Sequence, residues 1–417
     1  MKQRIIFLSG IFIFLAECLQ AQDTVSLQVE SSFRFINNKA NILHNADSLS
    51  HFYAKLLKLK KTNQGIVNIL HIGDSHIQAD FFTATTRTLL QKEFGNAGLG
   101  LSFPGRAALT NESQCINSSS VGKWESQRLI NAEDAETMGI GGITLKTNFV
   151  GNSIKIKTIN QADQKYAFNR LSIFFQKDFS SYHAVVKDSI GQPLAFIGPY
   201  TEEANNVSRL VLPYSINQVQ IETIQTSQTQ KHFTFFGISF ENSNPGVRYH
   251  ILGANGVKYK HFNLAPELLE QTNALAPDLI ILSLGANEAA DHPNIDHKFE
   301  WQIEVLVSEL RQFNPNAIIL LTTPADFYKS QTNRNPGIQT IKNKIVKFAE
   351  KNKLPYWNLH EVAGGNRAAD SWKKERLLNA DGIHFLNEGY KLQGRLLYEA
   401  IIKGYNEYVL HRHLQTH

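Results

Sequence analysis

Cysteine is scarce in this chain: Cys18 and Cys115 are the only two among 417 residues. Cys18 lies in an apparent leader, and with the leader removed Cys115 is left alone. An internal disulfide is then excluded even in an oxidising compartment. Nothing around Cys115 suggests an activated thiolate, so a structural thiol is expected rather than a nucleophile. A dense basic cluster is also missing. The formal net charge is +5, and the nearest approach to a cluster is Lys58, Lys60 and Lys61, at the end of a predicted helix. A solvated helix end accounts for them, which argues against a nucleic-acid partner. The mildly basic balance would suit an anionic wall polymer. Metal-ligand spacing is absent, and neither metal nor cofactor is expected. There is no low-complexity tract and no internal repeat. With 42% apolar and 19% charged residues, the composition is that of a globular chain with a real core.

The apolar runs are short as well. Ile5–Ala16, preceded by Lys2 and Arg4, is too short to span a bilayer comfortably, and no later run is longer. Small Ala21 follows a polar stretch. The pattern predicts a signal peptide over residues 1–21, cleaved after Ala21, and hence a secreted, periplasmic protein with no stable membrane insertion. Glu17 fits poorly with a lipid-modified Cys18.

What is present divides into two textures. Leu49, Phe52, Tyr53, Leu56 and Leu57 keep helical spacing, and Ile66–Ile72 reads as a buried strand ending at Gly73. A helix follows over about 81–94, then a Gly-rich loop over 95–100. From residue 106 to 245 the segments are short and β-rich, separated by turn residues, which predicts an antiparallel β-sandwich. After Pro245 strand and helix alternate again: Asp278–Leu284, a helix through Phe299 to Phe313, Ala317–Leu321, a helix through Ile338 to Ile345, Pro355–Leu359, and a last helix from about Asn387. That order implies a parallel sheet covered on both faces. The expected division is an α/β domain in two parts, 22–105 and 246–417, interrupted by a β domain over 106–245.

Four short motifs carry potential chemistry. Gly73-Asp74-Ser75-His76 follows the first strand directly. A serine at the C-terminal end of a parallel strand exposes its hydroxyl and frees its own N–H, which suits a nucleophile. The same residues also suit a plain helix cap. Asp381-Gly382-Ile383-His384 has the spacing to lay a carboxylate on an imidazole and leave the other ring nitrogen as a base. By itself the string also fits an ordinary loop. Leu284-Gly285-Ala286-Asn287-Glu288 ends a strand with an amide that could donate to developing negative charge. Gly253-Ala254-Asn255-Gly256-Val257 lets a backbone N–H approach a substrate oxygen closely. Each of these two is also compatible with a simple turn.

Taken together, the four motifs resemble the SGNH, or GDSL-like, hydrolases in order and strand context. The resemblance covers about 40–105 and 245–405. It implies a three-layer α/β/α SGNH-hydrolase fold with a parallel sheet and a catalytic triad of Ser75, His384 and Asp381. The oxyanion hole it implies consists of Ser75, Gly256 and Asn287. Four details resemble bacterial periplasmic peptidoglycan O-acetylesterases: His76 after the serine, Gly95–Gly100, the Gly253–Gly256 block and Gly285–Glu288. That branch carries a carbohydrate-binding-module-like β domain where the insert falls here. The wider family has Asp after the asparagine; this chain has Glu288. The expected partner is an O-acetylated glycan, with peptidoglycan first and xylan or alginate as alternatives. An O-acetyltransferase using the same triad and a non-catalytic wall-glycan binder are the rival readings. In the insert, Trp124, Tyr166, Tyr182 and Tyr200 are candidates for stacking on sugars, although aromatic residues of a β domain also serve as core.

Overall fold

The computed structural model describes residues 23–27, 33–161, 164–200 and 206–415. The predicted signal peptide and Cys18 lie outside the described residues.

The first unit is a six-stranded sheet in the order Leu43–His44, Tyr356–Trp357, Ile318–Thr322, Leu279–Ser283, Ile66–Gly73, Gly246–Gly253. The pairs are parallel except the outermost, Leu43–His44 on Tyr356–Trp357. Near-continuous apolar strands are what a sheet buried on both faces requires. Alternate residues show why. Val67, Ile69, Leu279 and Ile281 point into one core, with the helices Ser50–Thr62, Phe81–Phe94 and Asn387–Gln415. Leu70, Ile72, Ile280 and Leu282 point into the other, with Phe299–Phe313 and Gly337–Lys351. The result is the three-layer α/β/α arrangement. Among the described residues no helix is long and apolar enough to cross a membrane.

The second unit is the β insert. A five-stranded antiparallel sheet (Pro193–Ile197, His183–Lys187, Gln218–Ile224, Ser153–Thr158, Ile116–Val121) faces a six-stranded one (Val207–Ile216, Phe168–Phe175, Phe233–Glu241, Ile143–Thr147, Glu125–Arg128, with Gly98–Ser102 also on Phe233–Glu241). Ile154, Ile156, Val186 and Ile221 of the first interdigitate with Leu145, Ile173, Phe235 and Phe240 of the second in one shared core.

The Gly-rich stretch expected as a loop is in part a strand, Gly98–Ser102. It runs between Phe233–Glu241 and Gly246–Gly253. A Cβ at Gly98 would lie 2.6 Å from Phe240 O, and one at Gly100 would lie 2.8 Å from Tyr249 O. Both glycines also have positive φ, +116° and +86°. Their role is close backbone approach, not looseness.

Cys115 is fully buried and accepts from Arg87 Nη2 at 3.0 Å. Burial first, and the Asp80 carboxylate with it, push the thiol up to about 12 despite the neighbouring guanidinium. It is a packing residue where the helix Phe81–Phe94 meets the insert.

Candidate active site

Three adjacent strands end in register. Gly253 lies opposite Gly73, and so does Ser283 on the other side. The three sequence motifs that follow these strands therefore emerge side by side at the C-terminal edge of the sheet, where such folds bind ligands. Ser75 stands two residues beyond the central strand, with the Gly256 loop on one flank and Asn287 on the other.

Ser75 opens a single helical turn, Ser75–Gln78, whose cap is the Asp74 side chain accepting from His76 N–H at 2.9 Å. This turn sits unusually close to the sheet. A Cβ on Gly73 would run into Ile77 and come within 3.0 Å of Ser283 O, and one on Gly253 would reach 2.5 Å from Gln78 N. Two glycines thus let the turn seat where the half-buried Ser75 hydroxyl faces His384.

Ser75 Oγ and His384 Nε2 are 3.0 Å apart. His384 Nδ1 is 2.8 Å from Asp381 Oδ2, while Asp381 Oδ1 accepts the backbone N–H groups of Ile383 and His384 at 2.8 and 2.9 Å. A carboxylate on Nδ1 places the ring proton there and leaves Nε2 as the acceptor for the serine hydroxyl. Partial burial raises the Asp381 carboxyl, but the hydrogen bonds from His384 and the two backbone N–H groups outweigh it and hold the group below the usual carboxylate range. The loop is fixed from outside: Tyr328 N–H donates to Gly382 O and Gln331 N–H to Asp381 O. Gly382, at φ +75°, has no room for a side chain against Gln331.

Asn287 lies in the short helix Ala286–Ala290, and its Nδ2 donates to Val257 O at 2.9 Å. One amide N–H is spent on the neighbouring loop and a second remains. Gly256, at φ +75°, is in the left-handed region, and Ile130 of the insert covers it: a Cβ there would meet Ile130 Cδ1 at 2.5 Å. The next residue, Glu288, accepts Tyr259 N–H at 2.8 Å. The helix Ala286–Ala290 therefore holds the Gly256 loop at two points.

His76 was marked in the sequence by its place after the serine, whereas the residues beneath the site carried no signal beyond their type. The His76 ring lies 5.3 Å from that of His384, and its Nδ1 is 2.9 Å from Tyr390 OH. Burial, then the neighbouring His384, push His76 down to about 3, so the wall beside His384 is neutral at ordinary pH. Beneath, fully buried His71 bridges Tyr249 OH (2.7 Å) and Ser283 Oγ (2.6 Å), and Ser283 Oγ reaches Thr322 Oγ1 at 2.9 Å. This polar chain crosses four strands. The histidine inside Ile66–Gly73 was its one visible trace. Burial also lifts the carboxyls of Asp74 and Glu288, each to about 7.

The candidate sugar-stacking residues divide. Tyr166 and Tyr182 are buried core residues with no face for a sugar, Trp124 is half-buried against the same core, and Tyr200 is exposed. The two core tyrosines spend their hydroxyls internally, Tyr182 on Asn148 O and Tyr166 with Gln91. Among the described residues no group of three or more His, Cys, Asp or Glu is arranged to hold a metal ion.

Residues 229–392 match the family model of the GDSL-like lipase/acylhydrolases. No curated protein sequence matches the chain. Among solved structures, a peptidoglycan O-acetylesterase superposes with a TM-score of 0.71 at 22% identity, covering 87% of this chain and 98% of its own. A lipase/acylhydrolase from Enterococcus faecalis gives a TM-score of 0.31 at 22% identity, over 38% of this chain and 77% of its own. A family two carbohydrate esterase from Cellvibrio japonicus gives 0.29 at 12% identity, over 70% and 99%.

Proposed function

We propose that this chain, whose residues 229–392 match the model of the GDSL-like lipase/acylhydrolases, is a carboxylic ester hydrolase that removes O-acetyl groups from a cell-wall glycan, peptidoglycan foremost, outside the cytoplasm. On this reading residues 1–21 direct export, 22–105 and 246–417 form the hydrolase apart from the strand Gly98–Ser102, which joins the sheet of the insert, and 106–245 form the insert.

The observation that carries the reading is the unbroken run of hydrogen bonds from Ser75 through His384 to Asp381. His384 Nε2 takes the hydroxyl proton as Ser75 Oγ attacks the acetyl carbonyl. The oxyanion is held by the N–H groups of Ser75 and Gly256 and by the free N–H of the Asn287 amide. Collapse expels the sugar alkoxide, which takes the proton from His384. Water, deprotonated by the same nitrogen, then attacks the acetyl-enzyme and releases acetate, returning the proton to Ser75. Asp381 stabilises the imidazolium in both halves and keeps its orientation.

The test is acetate release from O-acetylated peptidoglycan and from acetylated xylan, by the parent and by Ser75→Ala. We expect release from peptidoglycan, abolished in the variant. Parent-like activity of Ser75→Ala rejects the nucleophile, and release from xylan alone rejects the substrate.

A further inference from the structure

The outward face of the six-stranded insert sheet carries a polar groove of about 770 Å3, within the ~300–1,000 Å3 range of ligand pockets. Its floor comes from the pleat of the sheet. Ile143 and Leu145 point into the sandwich core, so Thr144 and Lys146 point out; Phe233 and Phe235 point in, so Thr234 points out. The edge strand Glu125–Arg128 and the segment through Asn131, Glu133 and Thr137 form its walls.

This groove is joined to the candidate oxyanion loop by the same segment. Leu129 packs in one core with Leu252, Ala254, Val257 and Tyr259, and Ile130 covers Gly256. Leu129 N–H donates to Gly142 O, and a Cβ on Gly142 would touch Ala254. Ile140 N–H is held by Gln271 Oε1 of the hydrolase. Residues 128–142 are thus anchored beside Gly256 on one side and line the groove on the other.

The groove side chains are not occupied with each other. Glu125 and Lys146 sit directly opposite in the strand register, yet they form no ion pair among the described residues. Gln127, Asn131 and Glu133 likewise make no side-chain hydrogen bond among the described residues. Both signs of charge are present, with Glu125 and Glu133 against Arg128 and Lys146. A polyuronate would pair with Lys146 but set like charge against Glu125 and Glu133, and a neutral xylan would offer hydrogen bonds but no opposite charge. Arg128 Nη2 already donates to Leu109 O at 2.9 Å, and a chain bearing amides, carboxylates and ammonium groups together would match Glu125, Glu133 and Lys146.

We propose that this groove binds the substrate strand next to the scissile ester, and that the strand is an amino-sugar glycan carrying peptide stems. The inference rests on the esterase reading above for what happens at Ser75, but binding in the groove can be read without turnover.

The experiment uses the full chain with Ser75→Ala, titrated with soluble peptide-bearing glycan strands that lack acetyl esters. Lys146→Ala, Gln127→Ala and Asn131→Ala are added singly, with thermal unfolding as the folding control. Each is expected to raise Kd about fivefold, the worth of one hydrogen bond of about 1 kcal/mol. In the Ser75 parent each should lower the ratio of polymer to small-ester turnover by a similar factor. Unchanged binding in all three variants, or equal binding of xylan or polyuronate chains, overturns the proposal. Groove-dependent binding without acetate release from O-acetylated peptidoglycan leaves the groove standing and removes the esterase substrate. Acetate release that ignores the three substitutions does the reverse.

Discussion

Glu288 accepts the backbone N–H of Tyr259 through Oε1, while its Oε2 is buried with no hydrogen-bond partner among the described residues. This carboxyl pins the far end of the loop that begins at Gly253. Glu288→Gln keeps an oxygen acceptor and should stay close to the parent. Glu288→Ala leaves a buried N–H unsatisfied, at about 1–3 kcal/mol, and releases the loop carrying Gly256. Urea unfolding should show that loss, and kcat should fall more than KM rises. Identical behaviour of the two variants would remove the pinning role.

Asp74 and Glu288 also predict a pH effect. Burial, the largest cause for each, raises the folded carboxyls to about 7 from ordinary values of 3.8 and 4.5. The folded chain therefore holds these protons more tightly than the unfolded chain. The stability they contribute is complete below about pH 4 and is lost as pH rises through about 7. The double variant Asp74→Asn, Glu288→Gln keeps both acceptors but cannot titrate. Its unfolding free energy should decline less steeply than the parent's between pH 4.5 and 7.5. Parallel slopes would show that the two groups do not titrate as described.

Much of the architecture was legible because each strand is written as an apolar run and each motif sits at a strand end. Leu279–Leu282 and Ile66–Ile72 could be read at sight, and register then brings Gly73, Gly253 and Ser283 level. The Gly98–Ser102 strand was not legible, since glycines that admit close backbone approach are written the same way as glycines of a loop. The stacking role of Tyr166 and Tyr182 failed for a related reason: an aromatic residue announces apolar area, not which side of the sheet it faces. The polar run from Tyr249 through His71 and Ser283 to Thr322 needs four strands in register before any member has a partner. Glu288 gave no hint of its target, because Tyr259 contributes only its backbone.

Asp381→Asn separates geometry from charge. The amide oxygen can still accept from Ile383 and His384 N–H, so the turn should persist. The amide nitrogen would face His384 Nδ1, favouring the tautomer with its proton on Nε2, where Ser75 needs an acceptor. The loss in kcat should be about 10^4-fold with little change in KM or thermal stability. A loss under tenfold would mean that Asp381 serves only the turn.

Asn287→Ala removes the side-chain donor and also the bond to Val257 O. If the free amide N–H stabilises the oxyanion, kcat should fall about 10^2–10^3-fold with KM nearly constant. Asn287→Asp, which replaces the donor by a negative charge, should be no better. An active Asn287→Asp would assign the residue to loop packing instead.

Arg87 links the turn after Ser75 to the insert. It is fully buried, paired with Asp80 through Nη2 at 2.7 Å, and bonded through Nε to Tyr166 OH at 3.3 Å. Asp80 also accepts Ser113 Oγ at 2.6 Å, so one carboxylate ties the helix Phe81–Phe94 to residues on the insert side. Arg87→Met strands that carboxylate in a site without solvent, which typically costs about 3–5 kcal/mol. Asp80→Asn removes the charge but keeps an acceptor for Ser113. Once the carboxylate is neutral, losing Arg87 should hurt less, so the double variant should be more stable than the two single losses added together predict. A coupling of about 0.5–3 kcal/mol is expected from denaturant unfolding. Strict additivity would mean that the pair is two separate packing residues rather than one electrostatic latch between hydrolase and insert.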